Sequence, residues 1–125
     1  MYDWKIHIVD DMCLFPGMVD AHTHGLDKYD SPELQFVLSY PPEYIGGILN
    51  ELGEKISAGE KLKDGDIVTV SVLACELKIF KTEDCCGKPI LRIIVPDGIY
   101  NWPEESTEYP YNMQLTSPYE DVDFN

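Results

Sequence analysis

The sequence predicts an α+β fold: a mostly antiparallel β-sheet of about five or six strands with one main α-helix packed across it. Three observations predict it. One segment alone, from Pro41 to Gly59, has apolar residues recurring at three- and four-residue steps. The other apolar segments are short, and alternate or run continuously, as strands do. Helical and extended segments do not alternate regularly, which disfavours a doubly wound parallel sheet. A chain of 125 residues is one ordinary domain, able to bury a core without metals or disulfides. Residues 1–115 are expected to form it, and the acidic stretch 116–125 to be a mobile tail.

Trp4-Lys5-Ile6-His7-Ile8-Val9 alternates apolar with polar side chains, as a half-buried edge strand would. Pro16-Gly17 marks a turn, and Met18 to His24 is the next extended segment, ended by Gly25. Glu33 to Leu38 is a third strand, with Leu34, Phe36 and Leu38 on its core face. Pro41-Pro42-Glu43 starts the helix: proline has no N–H to lose in the first turn, and an acid there suits the helix dipole. Ile45, Ile48, Leu49, Leu52 and Ile56 form its buried stripe, and Gly59 caps it. Gly46, Gly47 and Gly53 each weaken helicity by up to about 1 kcal/mol relative to Ala, so packing must compensate. Small residues there let the helix lie close to the sheet. Lys63-Asp64-Gly65-Asp66 turns into a strand over Ile67 to Val72, with Glu76 to Phe80 as its antiparallel neighbour and a polar loop over Lys81 to Lys88. Pro89 to Val95 is almost wholly apolar, the mark of a central strand covered on both faces.

The formal charge is -14, and no Lys or Arg follows Arg92. So acidic a chain repels phosphate backbones and anionic bilayers, which disfavours nucleic acid and membranes as partners and favours a basic protein. No stretch approaches the ~18 apolar residues of a membrane span, and the first residues lack a signal-peptide pattern. A cytoplasmic location is expected. Cys13, Cys75, Cys85 and Cys86 lack paired C-x-x-C spacing and read as reduced thiols, with Cys85-Cys86 a loop pair of no assigned role.

The run Pro16-Gly17-Met18-Val19-Asp20-Ala21-His22-Thr23-His24 is similar to the metal-binding first strand of amidohydrolases. Side chains two apart on a strand share a face, so Asp20, His22 and His24 form a candidate metal set, with zinc the ion. Amidohydrolases, however, close a (β/α)₈ barrel of about 250 residues and draw further ligands from later strands. Here the one other histidine, His7, lies upstream. It can join only if the first two strands pair in a suitable register, with Asp20, Asp27, Asp30 or Glu33 adding oxygen. A metal site needs about four convergent ligands, or three and an open position. The alternative is that the histidines hydrogen-bond locally. That alternative is preferred, the amidohydrolase similarity is read as coincidental, and no cofactor is expected.

A longer ordered set carries a second resemblance. Asp20 to Tyr29, Pro32-Glu33-Leu34, Leu49 to Gly53, Ala58-Gly59-Glu60, Asp64-Gly65-Asp66, Leu91 to Asp97 and Glu108-Tyr109-Pro110-Tyr111 together resemble the bacterial domain-of-unknown-function 4262 family, over roughly residues 18–115. The resemblance implies a small cytosolic bacterial α+β protein. It supplies no established reaction, cofactor or catalytic residue. In that family the segment matching Ala21 to Leu26 often reads Tyr-Thr-x-Gly-Leu, so an aromatic occupies the place of His22. This implies structural roles for Thr23, Gly25 and Leu26.

No Gly-x-Ser-x-Gly elbow and no phosphate-cradling glycine pattern is present, which disfavours nucleophilic catalysis and nucleotide binding. The proline- and tyrosine-rich segment around Trp102, Tyr109 and Tyr111 either seals one edge of the core or anchors a partner. With acids Glu104, Glu105 and Glu108 among them, these aromatics suit a basic protein surface. The expected function is therefore a non-enzymatic protein-interaction domain, for example an immunity protein neutralising a basic toxin. A metal-dependent hydrolase built on the Asp-x-His-x-His strand is the alternative.

Overall fold

The computed structural model describes residues 2–9, 14–84 and 86–119. Among these, six strands form one sheet: β1 (Lys5–Val9), β2 (Met18–His24), β3 (Glu33–Leu38), β4 (Ile67–Val68), β5 (Leu77–Glu83) and β6 (Pro89–Ile94). Their order across the sheet is β1-β2-β3-β6-β5-β4. Every pairing is antiparallel except that of β3 with β6, so the fold is α+β with a mostly antiparallel sheet. The helix α1 (Pro42–Ser57) lies within the crossover between those two parallel strands. β1 is an edge strand and β6 is central, as their patterns predict.

The two faces of the sheet are closed differently. Leu34, Phe36 and Leu38 of β3, Leu91 and Ile93 of β6, and Leu77 and Ile79 of β5 meet the helix stripe Ile45, Ile48, Leu49, Leu52 and Ile56 in one core. Each fully buried Leu or Ile contributes about 1.5–3 kcal/mol, and this face carries most of the hydrophobic stabilisation. The opposite face carries the alternate residues, including Asp20, His22, Gln35 and Arg92, away from α1. It is closed by the chain between Pro96 and Tyr119. There Arg92 holds two backbone carbonyls, Lys78 lies 4.5 Å from the centre of the Trp102 ring, and Tyr119 reaches Asp20.

The helix glycines serve close approach. Trp4 packs against Gly53, where a Cβ would stand 2.7 Å from indole Cζ2, and the indole N–H donates to Asn50 Oδ1 at 2.9 Å. A Cβ on Gly47 would stand 2.8 Å from Val72 Cγ1.

The strand expected over Ile67 to Val72 is shorter than its β-propensity suggests, because only Ile67 and Val68 join the sheet. Beyond them the chain turns over the helix, where Val70 is buried and the Ser71 N–H donates to the Glu51 carboxylate at 2.9 Å. That side-chain acceptor replaces a strand partner. Conversely, β5 extends through Glu83 into the segment read as loop. Of the stretch 116–125, Thr116 to Tyr119 are described, and the Pro118 carbonyl accepts from the Phe15 N–H at 3.0 Å. Residues 120–125 lie outside the described residues, as do Cys13 and Cys85.

Candidate functional site

β2 turns Asp20, His22 and His24 toward the face opposite α1, and β1 pairs with it so that His7 stands opposite His22. The three imidazoles cluster, with ring centres 4.6 Å (His7–His24), 4.8 Å (His22–His24) and 5.8 Å (His7–His22) apart. His22 is engaged at both nitrogens: Nδ1 lies 3.1 Å from Asp20 Oδ1, and Nε2 lies 3.1 Å from His24 Nε2. The predicted trio is thus brought together and joined by His7, but in unequal roles. Asp20 binds the far nitrogen of His22, the position of an outer partner that fixes a histidine's tautomer, and not that of an inner ligand. His7 stacks on His22 at an interplanar angle of 12° and meets the His24 ring edge-on. Among the described residues, no three donors from His, Cys, Asp and Glu converge as a metal-holding set.

The remaining roles of this strand are structural. Thr23 is fully buried and donates from Oγ1 to Glu33 Oε1 at 2.8 Å, while the Gly25 and Leu26 N–H groups also donate to the Glu33 carboxylate. Gly25 adopts φ 120°, and a Cβ there would meet the Asp3 carbonyl at 3.0 Å. Glu33 is therefore committed to closing the β2–β3 connection.

Behind the histidines lies a cavity of about 310 Å³ between the sheet and the segment 115–119. Its floor is a chain of buried polar side chains that pattern reading missed. Asp20 Oδ1 accepts from Gln35 Nε2 at 2.9 Å, Gln35 Oε1 accepts from Arg92 Nε at 2.8 Å, and Asp20 Oδ2 accepts from Tyr119 at 2.8 Å. Arg92 Nη1 donates to the carbonyls of Gln114 and Thr116 at 2.7 and 2.6 Å. Burial brings the Arg92 pKa down to about 10, opposed by the charge of Asp20, so the guanidinium stays charged at neutral pH. In the cavity lining, the Lys88 N–H and then the Cys86 N–H, bonded to its carboxylate, hold the Asp84 pKa below the usual carboxylate value, and the charges of Lys88 and His22 lower it further. The one available signal for this floor was a lone arginine inside an otherwise apolar strand.

The aromatics read as either sealing a core edge or anchoring a partner each make contacts within the protein. Trp102 is half-buried against Lys78, Tyr109 donates to the Pro16 carbonyl, and the Tyr111 and Tyr40 hydroxyls lie 3.1 Å apart. Burial and then the Tyr111 hydroxyl push the Tyr40 pKa up. Tyr109 still leaves half its surface open, and among the large hydrophobic side chains of the described residues the most exposed are Ile99 (69%) and Tyr100 (72%). Both stand on a turn fixed by Asp97. Its carboxylate accepts from the N–H groups of Ile99 and Asn101 at 3.0 and 2.9 Å and from Ser106 Oγ at 2.6 Å. The Ser106 hydroxyl, followed by the two N–H groups, holds the Asp97 pKa below the usual carboxylate value. Tyr100 takes φ 64°, a left-handed conformation uncommon for a bulky residue. Burial raises the pKa of the half-buried Cys75 thiol, which leaves it a poor nucleophile.

No family model, no curated protein and no solved structure matches the chain. The resemblance to the domain-of-unknown-function 4262 family rests on the residues quoted for it.

Proposed function

We propose that the protein is a non-enzymatic binding module that presents the Ile99–Tyr100 turn to a basic protein partner. One observation carries this reading: two large apolar side chains stand about seven-tenths exposed on a backbone that Asp97 already holds rigid. Rigid aromatic and aliphatic anchors lose little conformational entropy on binding, and a left-handed non-glycine residue is a strain that functional turns retain. The acids Glu104, Glu105 and Glu108 follow in the chain, and the overall charge of -14 speeds encounter with a cationic surface. An immunity protein that neutralises a basic toxin is the concrete version, and membership of the domain-of-unknown-function 4262 family belongs to the same proposal.

The test compares affinity capture by the wild-type chain with capture by an Ile99→Ser/Tyr100→Asn variant, at low and moderate salt. Asparagine tolerates the left-handed conformation, so the variant removes the side chains and keeps the turn. A stoichiometric basic partner retained by the wild type and lost by the variant is expected. Equal recovery with both chains, or no stoichiometric partner with either, rejects the reading.

The 3.1 Å approach of His22 Nε2 to His24 Nε2 favours a second reading, a metal-dependent hydrolase. Two nitrogens about 2.0–2.1 Å from one tetrahedral ion stand about 3.3 Å apart, and Asp20 occupies the outer position such histidines use. Zinc titration of tag-free protein decides it: stoichiometric binding abolished by His22→Ala and His24→Ala supports a site, and binding indifferent to both removes it.

A further inference from the structure

We propose that the cavity between the sheet and the segment 115–119 is a binding site for a small zwitterion, with the carboxylate on Arg92 and the ammonium group toward Asp84. Arg92 is 3% exposed, yet its hydrogen bonds use only Nε and Nη1. Nη2 makes no hydrogen bond among the described residues. No fully buried side-chain nitrogen or oxygen lacks a partner there. Nη2 must therefore touch open space, and Arg92 lines the cavity. No carboxylate lies within ion-pair distance of the guanidinium among the described residues. Asp20, the acid whose charge acts on it, has its oxygens occupied by Gln35, His22 and Tyr119. A buried guanidinium with donors to spare and its nearest acid committed elsewhere is a built receptor for a carboxylate.

The other end of the cavity has the opposite sign. Asp84 lines the cavity with His22 and accepts from the Cys86 and Lys88 N–H groups through Oδ1 alone, which leaves Oδ2 without a hydrogen bond among the described residues. Glu33, whose oxygens accept from Thr23, Gly25 and Leu26, is a second acidic residue in the lining. A simple anion reaching Arg92 would meet these acids and be repelled, whereas a ligand that carries its own cation is attracted at both ends. Residue 84 follows Glu83, which pairs with Pro89, three residues along β6 from Arg92. Three residues of strand span about 10 Å, so the ligand's charges must be separated by several bonds, as in an ω-amino acid. This proposal is independent of the Ile99–Tyr100 turn.

The full chain is titrated with γ-aminobutyrate, and with butyrate and butylamine as carriers of one charge each, by calorimetry and by NMR of the arginine side-chain N–H signals. Saturable binding of γ-aminobutyrate is expected, about tenfold or more tighter than either control, with the Arg92 signals shifting on saturation. Asp84→Asn, which keeps the Oδ1 acceptor for the loop, should erase the preference over butyrate. The proposal is overturned by no saturation at millimolar ligand, by binding that leaves the Arg92 signals unmoved, or by an unchanged preference in Asp84→Asn. Because the NMR reading uses the wild-type chain, it does not depend on an Arg92 variant folding.

Discussion

At Gln114 a buried amide stands in for a strand. Its Oε1 accepts from the Val95 N–H at 2.8 Å, and its Nε2 donates to the Val95 and Tyr111 carbonyls at 2.6 and 3.0 Å. Gln114→Leu keeps the volume and strands both polar groups of Val95 without water. Each unsatisfied buried group costs about 1–3 kcal/mol, so urea denaturation should report a loss of at least that size. A change below about 0.5 kcal/mol would mean that the segment simply moves to let water in. Asp97 gives a pH prediction at the same scale. Its folded pKa is depressed, so its contribution is present above the unfolded value of about 3.9 and is lost as pH falls through the lower folded value. Acid should therefore release the Ile99 and Asn101 amides to fast hydrogen exchange only below about pH 4, and Asp97→Ala should release them at every pH. None of these residues was legible as a site. Periodicity describes one strand at a time, whereas the partners of Arg92 lie 57 and 22 residues away in the chain. The left-handed Tyr100 has no glycine to announce it.

Elements were far more legible. The alternation of Leu34, Phe36 and Leu38 and the stripe from Ile45 to Ile56 follow from backbone geometry alone, and both lie on the core. The segment Thr69 to Val72 escaped the same reasoning because β-propensity does not say whether an N–H will find a strand or, as at Ser71, a glutamate on a helix. The helix glycines separate propensity from packing. Around Gly46 nothing lies within 4 Å of a built Cβ, so Gly46→Ala should stabilise the protein by up to about 1 kcal/mol. At Gly53 the same methyl would press on the buried Trp4 ring at 2.7 and 2.8 Å. Overpacking of a rigid ring costs about 1–3 kcal/mol, so Gly53→Ala should be destabilising despite the better propensity. Opposite signs in paired denaturation curves are expected; a shared sign would mean that Trp4 does not rest on this helix.

Across the whole molecule, a charge of -14 on 125 residues sets two salt effects against each other. Self-repulsion opposes the compact state, and exposed charges are screened over about 8 Å at physiological ionic strength. Raising salt from about 0.01 M, where the screening length is about 30 Å, to about 0.15 M should therefore raise the melting temperature of the free protein. Encounter with a basic partner uses the same field with the opposite sign, so its association rate should fall over the same range while dissociation changes little. A zwitterion in the cavity has no net charge for that field to act on, and its affinity should depend on salt only weakly. Stopped-flow association alongside thermal melts in one salt series separates these behaviours. If partner association proved insensitive to salt, the acidic surface would have no part in recognition, and contact through Ile99 and Tyr100 would have to rest on apolar burial alone.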